Sequence, residues 1–328
     1  MLNIDLSTTY MGLELKNPII VSSSKITNNI RSISKCAKWG AGAIVLKSLF
    51  EEQLLANENK LMDDDEQYFW YPEAVDFINT NAKEHGLQEY LKLIHEAKEN
   101  IDIPVIGSIH CNTANEWPKF ASRLEEAGID GLELNIAIIP FDENISSQEI
   151  EDTYIKIVQE VKKNVSVPVA VKIGPMFTNI INIVKRLEGA GADAVVLFNR
   201  FYRPDIDIVN ERIKRNRVLS GPEEMTQSLR WVSLLANQVK CDIAGNTGIH
   251  DAESVIKHLM VGAAAIQICT VLVKNGPSYI DKMLSDLEEW MQTQHYRSID
   301  QFRGEITRNI DNISAFERIQ YMKKTLTE

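Results

Sequence analysis

Two short polar stretches late in the chain, Gly245-Asn246-Thr247-Gly248 and Cys269-Thr270, each follow a run of small apolar residues. A glycine at the end of a strand lets the backbone come close to a ligand, and the unbonded N–H groups that open a helix offer partial positive charge to an anion. Two such ends side by side make a cup for a phosphate. Each alone is also an ordinary tight turn, so its place in the order of strands decides between the readings.

Further polar residues stand at the ends of other apolar runs: Ser22 and Ser23, Lys47 and Ser48, His110 and Cys111, Asn135, Lys172 and Asn199. A lysine directly after a buried strand is either a solvated rim charge or a cation held for a ligand, because burying it unpaired is costly. Lysines and asparagines around one mouth offer donors and amide donor–acceptor pairs that suit a planar, oxygen-rich heterocycle. Metal chemistry is not expected, since the six histidines are scattered without ligand spacing. No nucleophile-elbow glycine–serine motif points to a hydrolase.

These residues must be brought together by the elements that carry them. Apolar runs at 19–21, 43–48, 104–109, 131–136, 167–173, 194–199, 241–244 and 263–268 read as strands, each followed by a helical pattern. The helices are expected at 30–39, 87–100, 115–127, 148–163, 179–190, 222–239, 251–260 and 278–294. Strands apolar on both faces, alternating with helices, indicate a parallel sheet covered by helices. Eight such units in succession predict an α/β fold, a (β/α)8 barrel with insertions after strands 2, 4 and 6. A doubly wound open sheet is the alternative, but its nucleotide loop would follow the first strand, where this chain has Ser22-Ser23-Ser24. In a barrel, the loops after strands 7 and 8 are the usual phosphate site, and the two polar stretches fall there.

Composition narrows the partners. The chain has 328 residues, 44% of them hydrophobic and 25% charged, with a formal net charge of -11 and no basic run. Nucleic acid and anionic membrane surfaces are therefore not expected partners. Four widely spaced cysteines form neither a disulfide framework nor a metal pattern, which fits a reducing compartment. The first residues hold no signal-like apolar core, and no run reaches membrane-span length, so cytoplasmic residence is expected.

The chain resembles the dihydroorotate dehydrogenases, in their soluble cytosolic branch, over nearly its whole length. The resemblance is carried by Asn17-Pro18 with Ser22-Ser23, Lys47-Ser48, Glu133-Leu134-Asn135, Val171-Lys172, Asn199, Ser220-Gly221, Ala244 to Ile249, Val261-Gly262-Ala263 and Gln267 to Thr270. The stretch from Gly276-Pro277 to Ile299 also follows that branch. It implies one FMN-binding barrel domain over 1–328, a flavoprotein oxidoreductase acting on CH–CH groups, with dihydroorotate oxidation in pyrimidine biosynthesis as the activity. It implies FMN held by Ser22, Ser23, Lys47, Asn135, Lys172, Asn199, Gly221, Gly245, Asn246, Thr247, Gly248, Cys269 and Thr270. Lys47, Asn79, Asn135, Asn199 and Arg200 correspond to substrate-side positions, and Lys172 to the lysine beside the flavin's N1–O2 edge. A homodimer is implied in the same way. An electron acceptor is implied too, and fumarate, a quinone, oxygen and a partner flavoprotein all remain open.

The chain departs from the family pattern after strand 4, where it reads Asn135-Ile136-Ala137-Ile138-Ile139-Pro140. Ile138 stands where that branch places its catalytic cysteine base, and isoleucine cannot accept a proton. Substitute bases are Cys111, His110, Ser146 and Ser147, of which Cys111 is preferred because strand 3 lies beside strand 4. Lys47, Lys172 and Cys111 are thus the expected catalytic set. The substrate is dihydroorotate or a related small planar molecule. Two other functions compete: a phosphate-binding aldolase or isomerase using Lys172 as a Schiff-base nucleophile, and a flavin-binding barrel without catalysis.

Overall fold

The structure is a computed structural model that describes residues 4–50, 72–111, 116–139, 142–201, 204–215, 219–308 and 316, without the side chains of 72–85, 204, 214 and 215. The chain enters through a hairpin, β1 (Thr8–Tyr10) and β2 (Leu13–Leu15). The first barrel strand is β3 (Ile19–Val21), followed by helix α1 (Ile30–Lys38), β4 (Ala43–Val45) and its short continuation β5 (Leu49–Phe50). Next come α2 (Pro72–Asn100), β6 (Val105–His110), α3 (Glu116–Glu126), β7 (Gly131–Asn135), α4 (Ser147–Asn164), β8 (Val169–Ile173), α5 (Ile180–Gly189) and β9 (Ala194–Leu197). A two-stranded ribbon, β10 (Pro204–Asp207) and β11 (Arg212–Arg215), precedes α6 (Met225–Leu235). The chain continues with β12 (Asp242–Asn246), α7 (Ala252–Met260), β13 (Ala265–Ile268), α8 (Thr270–Asn275), α9 (Tyr279–Thr293) and α10 (Glu305–Arg308).

The sheet closes on itself in the order β3-β4-β6-β7-β8-β9-β12-β13, with β13 pairing back to β3, and every pairing is parallel. This is the expected eight-stranded barrel. Its outer core lies between strands and helices, where Ile19, Val21, Ile44, Val105, Leu132, Val171, Val195 and Ile266 meet the apolar stripes of the helices. Because the side chains of a strand alternate, the intervening residues point into the barrel. At its floor these are Ile20, Ala43, Val45, Ile106, Ala170, Ala194, Val196, Ala244 and Ala265, and the hairpin's Tyr10, Met11 and Leu15 pack among them. The small alanines make room for this plug. Gly131 does the same, for a Cβ there would stand 2.3 Å from Met11 Cε.

Helix ends follow their local sequences. Ser146 and Glu149 form a capping box at the start of α4, and Asn29, Asn179 and Asp251 cap α1, α5 and α7. Four boundaries differ from expectation. α2 begins at Pro72, ahead of the helix expected at 87–100, because proline is well placed at a first helical position and no breaker follows before Gly86. The helix expected over 222–239 is a 3-10 turn, Pro222–Glu224, and then α6. β12 runs through Asn246, so Gly245 and Asn246 belong to the strand and the turn starts at Thr247. α8 was not expected; Gly276, at φ 82°, ends it.

Candidate functional site

One step above the floor, the alternation of the strands brings polar residues inward. Ser22 follows Ile20, Ser108 follows Ile106, Glu133 follows Gly131, Lys172 follows Ala170 and Gln267 follows Ala265. All five are buried. Lys172 Nζ donates to Gln267 Oε1 at 2.9 Å and to Ser22 Oγ at 3.1 Å, and lies 3.6 Å from Glu133 Oε1. Gln267 Nε2 donates to the other Glu133 oxygen. Lys172 is therefore a buried, paired ammonium, not a solvated rim charge. Glu133 and Gln267 belong to the site although reading strand ends alone did not find them; their signal is a polar residue at period two inside an apolar strand.

Neighbouring strands add hydroxyls and amides. Ser23, Ser48 and Ser108 form a hydroxyl chain, with Oγ separations of 3.1 and 2.8 Å. The Val45↔Ile106 pairing is followed by Leu49↔Ile109, four residues against three, so the segment carrying Lys47 is bulged. Bulges at barrel rims re-aim side chains, and Lys47 is half-buried there. Asn135 pairs with Lys172 in register, and Asn199 Nδ2 donates to Asn135 Oδ1 at 2.7 Å. That bond uses one donor and one acceptor, so Asn135 Nδ2 and Asn199 Oδ1 form a complementary pair for a planar ligand.

The stretches expected to form a cup lie at the ends of β12 and β13. Thr247 and Gly248 have φ values of 74° and 79°. Among the described residues no protein acceptor engages the N–H of Gly248 or of Thr270. Ser220, Gly221 and Thr270 meet here, for the Ser220 N–H and hydroxyl both donate to Thr270 Oγ1, at 3.2 and 3.0 Å. Asn246 and Thr247 are tied down through donations to the Phe198 carbonyl, at 2.8 and 2.9 Å. Cys269, between β13 and α8, is half-buried. Two glycines have a role the sequence does not disclose. A Cβ at Gly245 would lie 2.5 Å from the His258 ring, and one at Gly248 would lie 2.2 Å from the Met225 backbone nitrogen. Packing of α7 and α6 against the strand ends requires them, independently of any ligand. His258 supports the same region. Its Nδ1 pairs with the Ser254 carbonyl and its Nε2 with Ser228 Oγ, while Ser228 donates to the Leu197 carbonyl at 2.6 Å.

The substrate-side residues are less unified. Ile138 packs against the outer core, and its N–H donates to Tyr154 Oη at 3.2 Å. Cys111 is 5% exposed and packs within that outer core. Ser146 is committed to its capping box, and both it and Ser147 are exposed. His110 instead places Nδ1 2.7 Å from the Asn135 carbonyl and stacks near Phe50 and Trp117. Because a carbonyl only accepts, Nδ1 carries the hydrogen and Nε2 is the basic nitrogen of the neutral ring. Arg200 pairs with Glu224 at 2.9 Å beside a cavity of about 510 Å³ that Phe198, Asn199 and Thr247 also line. Asn79 lies in the part of α2 whose side chains are outside the described residues.

The donor set fits a flavin mononucleotide: a cup of backbone N–H groups for phosphate, amides and a buried ammonium for the ring. Among the described residues no group of His, Cys, Asp or Glu could hold a metal, and no helix is long and apolar enough to cross a membrane. A family model, dihydroorotate dehydrogenase, matches residues 5–291. The chain is 31% identical over 314 residues to the protein named dihydroorotate dehydrogenase B (NAD(+)), catalytic subunit, of Thermoplasma volcanium, covering 92% of this chain and 98% of that one. Proteins of the same name from Thermoplasma acidophilum and Methanothermobacter thermautotrophicus are 30% and 29% identical, covering 92% and 91% of this chain and 98% and 97% of theirs.

Proposed function

The chain belongs to the dihydroorotate dehydrogenase family, and on that premise we propose that it is an FMN-dependent oxidoreductase acting on dihydroorotate or on a related small planar substrate. The observation that carries this reading is the Lys172 ammonium, buried and held by Ser22, Gln267 and Glu133 beside the Asn135–Asn199 pair. FMN, when bound, supplies the flavin N5 that exchanges a hydride with the substrate.

The protein's own residues do the rest. Gly248 and Thr270 offer N–H groups to the phosphate from a loop held by Asn246 and Thr247, with Ser22, Ser23, Gly221, Gly245 and Cys269 lining the same end of the barrel. Lys172 would supply positive charge beside the flavin ring, and Ser22, Gln267 and Glu133 hold its ammonium in place. Lys47, on its bulge, serves both flavin and substrate, and Asn135 Nδ2 and Asn199 Oδ1 orient the substrate's polar edge.

Taking a hydride from a saturated C–C bond also requires removal of a proton from the neighbouring carbon. Ile138 cannot receive it, and Cys111 is buried in the outer core. His110 Nε2 is the acceptor we assign, with the ring fixed through its Nδ1–H bond to Asn135. Dihydroorotate, whose usual acceptor in this family is a cysteine at the position of Ile138, is then a poor substrate. The loss at Ile138 also favours a second reading, a flavin-binding barrel without dihydroorotate activity. The purified protein tests both: flavin absorbance with one released FMN per chain supports the cofactor, and bleaching of the oxidised flavin by a panel of saturated acids, or return of colour to the reduced flavin with their unsaturated counterparts, identifies an enzyme. Colourless, folded protein that takes up no FMN would refute the proposal, and borohydride trapping of a substrate on Lys172 would support the Schiff-base alternative.

A further inference from the structure

Beside the cup, three elements bring two basic side chains around Ser220. His250, just after β12, places Nε2 3.3 Å from Ser220 Oγ. Lys274, one turn beyond Thr270 on α8, places Nζ 3.5 Å from the Ser220 carbonyl. Ser220 is itself buried, and its hydroxyl donates to Thr270 Oγ1, so Ser220 Oγ is left to accept from His250 Nε2–H. The neutral ring then lacks a hydrogen at Nδ1, and the charged ring gains one there. The other charges facing His250 are the carboxylates of Asp251, at the start of α7, and Glu223, in the turn before α6. In a chain of net charge -11, a phosphate monoester at this rim has those carboxylates to overcome, and backbone N–H groups alone carry no full charge.

We infer that His250 and Lys274 form the cationic wall of the phosphate cup, and that His250 takes up a proton when a phosphate monoester seats there, so that FMN is held less tightly as pH rises. This rests on the flavin reading above. Burial, and then the nearby Lys274 ammonium, hold the His250 pKa below the usual histidine value, against the opposite pull of Asp251, Ser220 and Glu223. The ring is thus neutral at neutral pH before the ligand arrives. A phosphate monoester carries a charge near -2 above its second pKa of about 6. Opposite charge at contact favours the charged imidazole. Binding that takes up a proton weakens as protons become scarce, so affinity falls with pH from the free ring's pKa up to that of the ring paired with phosphate.

The test compares FMN with riboflavin, which has the ring and ribityl chain but no phosphate, on full-length protein stripped of flavin by dialysis. Binding is read by quenching of flavin fluorescence between pH 6.5 and 9. The expected result is an FMN Kd that rises by up to about tenfold per pH unit, with riboflavin unaffected. His250→Gln abolishes the slope, and Lys274→Met weakens FMN by about tenfold at every pH while leaving riboflavin unchanged. Calorimetry in two buffers of different ionisation heat should show proton uptake with FMN that disappears in His250→Gln. A flat FMN profile, or a slope that persists in His250→Gln, overturns the role of His250. FMN binding no tighter than riboflavin overturns the cup as a phosphate site while sparing the flavin reading. Failure of both ligands to bind at any pH removes the flavin reading itself, and this inference with it.

Discussion

The floor of the site and its substrate rim are built to different standards. Below the mouth, Lys172, Glu133, Gln267 and Ser22 bond to one another in a buried layer in which, among the described residues, Glu133 Oε1 has only its ion pair with Lys172, and Ser228 with His258 ties the ends of β9 and β12 together. At the rim after β7 stand Ile138 and Ile139, whose side chains carry no hydrogen-bonding group, and Ile139 is 48% exposed. A buried ionic layer tolerates little change, because removing one member strands the charge of another. A rim loop varies more readily, because it lies at the surface and carries fewer buried contacts. On the proposed reading, flavin and substrate are held by separable parts of this barrel, and the substrate part is the one that departs from the family pattern.

The sharpest way to break this contrast is to restore the missing group. Ile138→Cys should raise the rate of flavin reduction by dihydroorotate by about 10²–10⁴-fold, the usual worth of a positioned acid or base. Stopped-flow bleaching of the flavin absorbance reads it, and an unchanged rate would mean that the rim differs in more than its base. His110→Asn should slow reduction by the protein's true substrate about 10²-fold, whereas Cys111→Ala should leave that rate within about twofold and cost stability by roughly 1–2 kcal/mol. Equal losses in the two variants would show that Cys111 does belong to the site.

The floor should respond in stability instead. Lys172→Met leaves the Glu133 carboxylate buried without its cation and should cost about 3–5 kcal/mol in urea unfolding of the flavin-free protein. Adding Glu133→Gln should recover most of that loss; a double variant as unstable as the single one would mean that packing, not charge, dominates the layer. A smaller, pH-dependent effect comes from His258. Burial pulls its pKa down to about 4, so the unfolded chain binds the extra proton between there and about 6.5. Stability should therefore be full above about pH 6.5 and decline toward pH 4, by at most roughly 3 kcal/mol. His258→Gln should flatten that part of the pH profile.

The strand order was legible because both core layers write themselves into the sequence: strands apolar on both faces, with small alanines at the floor, alternate with helices of clear amphipathic pattern. That the two polar stretches end the last two barrel strands followed from counting strands. What stayed hidden depends on three-dimensional neighbours. Gly245 and Gly248 read as ligand-facing, and only the placement of His258 and of the α6 backbone shows that packing requires them. Glu133 and Gln267 were visible as letters, but their bond to Lys172 spans three strands. Cys111 and His110 are adjacent in sequence, and alternation sends one to the outer core and brings the other to Asn135. His250 and Lys274 lie on surface-like stretches whose convergence on Ser220 no spacing rule announces.

The most direct test of the contrast between floor and rim is an anaerobic half-reaction of the purified, unaltered protein with dihydroorotate, followed by its flavin absorbance. The account predicts one FMN per chain, reducible by dithionite, with dihydroorotate bleaching it slowly or not at all. Rapid, complete bleaching by dihydroorotate with Ile138 in place would contradict it.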